Sequence, residues 1–260
     1  MTEESSVDIS YEGALAILTM NHRPHNLTDA KLANELLAGL DAALEAGARA
    51  VVLRTGLRNF SAGGDVSMFE ARISPEKKPI ELSATKVLHA FRSFPLPIIA
   101  SVRGICVGGG FELALSCDFV IAAKSAKFGS VESTIGLNPL MGAIQRQVQA
   151  AGLLRAKEIS MLGHRYDAET MERWNLINRV VPDEVLDEAT LVIGQEFAHG
   201  ATVAHGITKQ IANIAADHGV EAADLAMGEL QDALWETEDL AIGIKSLLTA
   251  GLGLAKFVGR

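Results

Sequence analysis

Cysteine, tryptophan and tyrosine occur only twice each in 260 residues. Cys106 and Cys117 stand in apolar surroundings and share no metal-ligand spacing. They read as two buried free thiols in a reducing cytoplasm, which excludes a disulfide framework. The seven histidines are scattered without a His-x-x-x-His pair, so zinc is not expected. No apolar run approaches the roughly 18 residues that a bilayer requires, and no membrane partner is expected. Basic residues are in deficit: 23 Lys and Arg against 32 Asp and Glu leave a net charge of −9. With no Lys/Arg-rich block either, the chain does not read as a binder of nucleic acid. A local basic patch for an anionic small molecule remains compatible with this average. The start, Met1 to Ser6, is acidic and polar, unlike a secretory or mitochondrial leader, and the expected location is the cytoplasm.

What is abundant is ordinary core material. Hydrophobic residues make up 48% and charged residues 21%, enough for one large core with a smaller appendage. Val7–Tyr11 and Ala14–Thr19 read as a hairpin about Glu12-Gly13. Asp29 can cap a helix carrying Leu32, Leu36, Leu37, Leu40 and Leu44 at helical spacing, with Gly47 ending it. Ala50–Leu53 and Ile98–Val102 are runs suited to buried strands, and Asp118–Ala123 is a third. A polar loop is expected at residues 74–79, followed by a helix through about Phe94. From residue 140 the pattern is mostly helical, over about 143–151, 152–162, 167–174, 184–198, 203–217, 220–235 and 238–249. A composition shift after Pro182 divides the chain into an α/β core with the active site, residues 1–195, and a helical region, residues 196–260.

Two glycine clusters follow strand ends, where α/β proteins place ligands. One is Ser61-Ala-Gly-Gly-Asp65; the other is Gly104-Ile-Cys-Val-Gly108-Gly109-Gly110. A triple glycine at a strand-to-helix junction admits close backbone approach and exposes free helix amides to an anion. Neither Gly-x-x-x-x-Gly-Lys-Ser/Thr nor Gly-x-Gly-x-x-Gly is present, so a phosphate cradle is not indicated. An oxyanion site remains, beside the simpler reading of a tight turn. Glu112 falls in the first helical turn and Glu132 in a loop; each alone is an unremarkable surface or dipole-favoured carboxylate. Together with two glycine turns they suit proton transfer beside a carbonyl that becomes enolate-like.

These segments resemble a known family. Phe60-Ser-Ala-Gly-Gly-Asp65, Gly104-x3-Gly-Gly-Gly-x-Glu112-Leu with Cys117-Asp118, and Phe128-Gly-x-x-Glu132 are similar, in sequence and spacing, to the motifs of the crotonase superfamily, the enoyl-CoA hydratase/isomerase group. The resemblance runs from the Asn21–Asn26 segment to Phe257-Val-Gly-Arg260. It implies an α/β fold, a crotonase-like spiral of β-β-α units with a C-terminal helical oligomerisation region, assembling as a homotrimer or dimer of trimers. It implies an enoyl-CoA hydratase, a hydro-lyase acting on a 2-enoyl-CoA. No cofactor is expected, coenzyme A being part of the acyl-CoA substrate. Gly64 and Gly109 would offer backbone N–H groups to the thioester oxygen, the carbonyl of Ala62 would contact adenine, and Glu112 and Glu132 would be the two catalytic carboxylates. Asp65 borders the CoA side of the first motif, where it and Asp118 are suited to pinning turns.

The chain also departs from that pattern. Leu140 stands where a glycine amide usually helps position water, so Leu140 and Met141 could reshape the acyl pocket. Val131 replaces a common proline before Glu132. The basic stretch near the C-terminus is replaced by Leu248-Thr-Ala-Gly-Leu-Gly, leaving Lys245, Lys256 or Arg23 to meet CoA phosphates. His22 and His25 read as solvated loop residues. Asn175 replaces a helix-ending glycine and can take the same left-handed turn. An isomerase or acyl-CoA hydrolase using the same oxyanion site, and a non-catalytic acyl-CoA binder, are the alternatives.

Overall fold

The computed structural model describes residues 5–74, 76 and 84–260; most of the loop expected at 74–79 lies outside them. The strands are β1 (Val7–Glu12), β2 (Leu15–Met20), β3 (Ala50–Thr55), β4 (Ile98–Val102), β5 (Ile105–Val107), β6 (Phe119–Ala123), β7 (Lys127–Gly129), β8 (Tyr166–Asp167) and β9 (Arg179–Val181). The helices are α1 (Ala30–Glu45), α2 (Val66–Ile73), α3 (Ala84–Ser93), α4 (Gly109–Ala114), α5 (Ala143–Ala151), α6 (Leu153–Leu162), α7 (Ala168–Arg173), α8 (Leu186–Ala198), α9 (Thr202–His218), α10 (Val220–Asp232) and α11 (Glu238–Thr249). None is long and apolar enough to cross a membrane, among the described residues.

Six strands form one sheet in the order β1-β2-β3-β4-β6-β9, antiparallel at β1-β2 and parallel beyond. The near-continuous apolar runs of β2, β3 and β4 are buried because both faces of this sheet are covered. Alternate residues divide between the faces. Ala16, Leu18 and Met20 join α1 residues and Phe60, Phe91, Phe111 and Phe128 in the larger core. Leu15 and Ile17 join Leu186 and Ala198 of α8 in the smaller one. Asp29 caps α1, its carboxylate accepting from Leu32 N at 2.8 Å.

A second, three-stranded sheet has the order β5-β7-β8. The chain passes repeatedly from a long strand to a short one and then to a helix: β4, β5, α4, then β6, β7 and the 3-10 turn Glu132–Ile135. The first pass follows the same course, with Ser61 bridging Cys106 of β5 in parallel before α2. This is the expected spiral of β-β-α units, and it stacks the three motif segments edge to edge. Helices α9 to α11 follow the core.

Candidate active site

Alignment of the two glycine clusters follows from backbone pairing. Ser61 N donates to Ile105 O and Val107 N donates to Ser61 O, both at 3.1 Å. Thr28 pins the first cluster from its other side: its N–H donates to Gly63 O at 2.8 Å and its carbonyl accepts from Asp65 N at 3.3 Å. That pattern skips the Gly64 amide. Gly109 opens α4, so its N–H has no intrahelical partner. Among the described residues neither amide donates a hydrogen bond. They are neighbours, since a Cβ built on Gly109 would stand 3.6 Å from Gly64 N.

Each residue of the triple glycine is required for its own reason. Gly108 has φ +54°, a conformation that L side chains rarely adopt. A Cβ on Gly109 would lie 2.4 Å from Thr28 Oγ1, and one on Gly110 2.4 Å from Ser61 Cβ. The sequence therefore places glycine where two backbones must touch.

Glu112 and Glu132 flank this turn. Glu112, in the first turn of α4, is 3% exposed. Its Oε1 accepts from Met141 N at 2.7 Å and Ala143 N at 3.1 Å. Burial pushes its pKa up to about 7, and the neighbouring Glu132 charge adds to this against the opposing amides. Glu132 opens the 3-10 turn and is half-buried. Its Oε1 lies 3.4 Å from where a Cβ on Gly108 would stand, and its Oε2 is buried without a partner among the described residues. Burial raises its pKa also. Fully buried Gln147 braces the segment behind it, donating to Ser130 Oγ and accepting from Ser160 Oγ, each at 2.8 Å.

The other anticipated residues have varied settings. Ala62 N donates to His25 O at 3.0 Å, so the Asn21–Asn26 loop runs beside the first motif. Arg23 is exposed on that loop. Asp65 caps α2, accepting from Ser67 N at 2.9 Å, and Asp118 accepts from Ile98 N and Lys209 Nζ. Leu140 is half-exposed, and the left-handed residue of its loop is Gly142, φ +94°. Leucine is thus accommodated without strain, and the amides of Leu140, Met141 and Ala143 turn towards Glu112. Lys245 and Lys256 are exposed, on α11 and on the tail beyond it. His22 is not solvated as expected: Nδ1 meets Ser6 Oγ and Nε2 meets Asp29 Oδ2, both at 2.8 Å. Cys106 is buried and Cys117 half-buried, both free. Asn175 takes φ +60°, as a left-handed cap should. Sequence reasoning missed Thr28, the Met141 and Ala143 amides, and Gln147. The amides carry no side-chain signature at all, while a polar Gln147 within a helix gives no sign that it is buried.

Residues 10–248 match the model of the family described as enoyl-CoA hydratase/isomerase. A probable enoyl-CoA hydratase of Rhizobium meliloti is 32% identical over 248 residues, 92% of this chain and 93% of that protein. A short-chain-enoyl-CoA hydratase of Clostridium acetobutylicum is 29% identical, covering 99% of this chain and 98% of its own. Among solved structures, an enoyl-CoA hydratase from Bacillus anthracis superimposes with a TM-score of 0.86 at 26% identity, covering 96% of this chain and 99% of that one.

Proposed function

The chain belongs to the enoyl-CoA hydratase/isomerase family, and from that premise we propose that it is an enoyl-CoA hydratase whose acid/base pair is Glu112 and Glu132. One observation carries the site assignment: a buried and a half-buried carboxyl flank two adjacent amides that have no other partner among the described residues. The Gly64 and Gly109 amides donate to the thioester oxygen of a 2-enoyl-CoA and stabilise negative charge as it develops there, which draws electrons from Cβ. Removing one such donor typically costs about 10²–10³ in rate.

Water addition needs a base and an acid. Glu112 Oε1 takes N–H donors from Met141 and Ala143, which serve an ionised oxygen. Glu112 accordingly removes the water proton while the water oxygen bonds Cβ. We assign the pair's other proton to Glu132, whose Oε2 has no partner among the described residues, and from there it passes to Cα. The sum is one water added across the double bond, with one proton still shared by the pair. Dehydration reverses each step. No cofactor enters, because coenzyme A arrives with the substrate. Exposed Arg23, Lys245 and Lys256 are assigned to its phosphates, and the Ala62 carbonyl, on the segment beside the Asn21–Asn26 loop, to its adenine.

We assign residues 1–195 to the catalytic core and 196–260 to assembly, as a homotrimer or dimer of trimers in the cytoplasm. Outward-facing Leu225, Trp235 and Leu248 support the second role. Loss of the enoyl-thioester absorbance on adding crotonyl-CoA, and longer homologues, tests the reaction. Glu112→Gln and Glu132→Gln are each expected to slow it by about 10²-fold or more. A folded wild-type protein that hydrates no chain length, or two Gln variants of unchanged turnover, would overturn the reading.

A further inference from the structure

The loop that grips Glu112 is itself held from behind. Arg146, in the first half of α5, donates from Nη1 to Gly142 O at 2.9 Å. Gly142 separates Met141 and Ala143, the residues whose amides meet Glu112 Oε1. The guanidinium lies so close over this peptide that a Cβ on Gly142 would stand 2.5 Å from Nη1. Glycine there does two things: it takes the left-handed turn and it lets the guanidinium close over it.

Arg146 is not consumed by another anion. Arg92 of α3 faces it but is bound through both terminal nitrogens to Asp217 of α9, at 2.7 and 3.1 Å. Asp118, across a polar cavity of about 370 Å³ that Arg146 helps to line, is bound to Lys209. Among the described residues, Arg146 has no carboxylate within ion-pair distance. Its charge is felt by Glu112 on one side and Asp217 on the other, against Arg92. Glu112 in turn faces Glu132.

We propose that Arg146 is a positioning residue for Glu112: it fixes the Gly142 peptide so that the flanking Met141 and Ala143 amides aim at Oε1. The proposal rests on reading Glu112 as one of the acid/base carboxyls. Its physical content is that the amides stabilise the ionised form, in which Glu112 accepts the water proton. A tipped Gly142 peptide would withdraw one or both donors and leave a buried carboxylate with less support. Glu112 would then hold its proton to higher pH.

Two variants test this. Arg146→Met removes the donor and the charge at similar length; Arg146→Lys keeps the charge and one reachable donor. In Arg146→Met, crotonyl-CoA turnover at neutral pH should fall about tenfold with KM within about twofold, because substrate contacts are untouched. The acid limb of the rate profile should move to higher pH by about half a unit or more, and Arg146→Lys should recover part of both effects. A merely structural role would lower the amount of folded enzyme without moving the limb. Infrared titration of the carboxyl band, with Glu112→Gln identifying the Glu112 contribution, reads the same shift without any turnover. If the wild type proves inactive on enoyl thioesters, that titration still decides the role of Arg146. An unmoved titration in folded Arg146→Met overturns it; if that variant does not fold, an unmoved titration in Arg146→Lys does.

Discussion

At the residue scale, the most consequential number is the pKa of about 7 for Glu112. A carboxyl whose folded-state pKa lies above its ordinary value of 4.5 binds its proton more tightly when folded. Its contribution to stability is complete at acid pH and is lost as pH rises from that ordinary range through 7. Glu112→Gln removes the ionisation and keeps an oxygen for the Met141 and Ala143 amides. Its stability relative to wild type should therefore rise between pH 5 and pH 8, by up to about 3 kcal/mol. Urea denaturation at the two pH values checks this, and a difference that does not change with pH would contradict the burial argument. That Glu112, Glu132 and the two glycine turns share one site was legible in the sequence, from the family motifs they resemble. The donors that complete it were not. Met141 and Ala143 act through N–H groups that every non-proline residue owns.

At the element scale, legibility followed length. The hairpin, α1, β4, α5 and α11 have enough residues for a period of 2 or 3.6 to repeat, and their ends agree with expectation to within a few residues. Strands β5, β7, β8 and β9 have two or three residues each and cannot display a period; their pairing partners create them. Yet β5 and β7 are what bring Gly108 and Glu132 together, with Gly108 N donating to Gly129 O at 2.9 Å. The brace behind β7 gives a prediction at this scale. Gln147→Leu strands the buried hydroxyls of Ser130 and Ser160, so it should cost about 2–4 kcal/mol. Because Ser130 lies two residues before Glu132, activity should fall even well below the melting temperature. A denaturation midpoint and turnover both within error of wild type would show that the network bears on neither.

For the whole molecule, the question is how the C-terminal helices are held to the sheet. Arg49, just ahead of β3, donates to Thr202 Oγ1 at 2.8 Å, to Gly200 O at 2.5 Å and to Phe257 O at 3.1 Å. Buried Asp239, at the start of α11, accepts from Val258 N at 2.6 Å and Gly259 N at 2.9 Å. One guanidinium thus joins the core, the start of α9 and the tail, and one carboxylate folds that tail back onto α11. The sequence hid this as well, because a lone arginine before a strand looks like a surface residue. Leu225, Trp235 and Leu248 point outward in this region, and an exposed apolar surface can repeat a contact between copies. The wild-type chain should accordingly sediment as three or six copies. Arg49→Met, which removes three hydrogen bonds, should raise amide exchange at the start of α9 and in residues 250–260 and shift the sedimenting species towards monomer. β2 and β3 should stay protected, because their cores do not use that fork. A monomeric wild type would refute the assembly itself. A variant that assembles as wild type does, with exchange raised only in the tail, would show that Arg49 holds the tail alone.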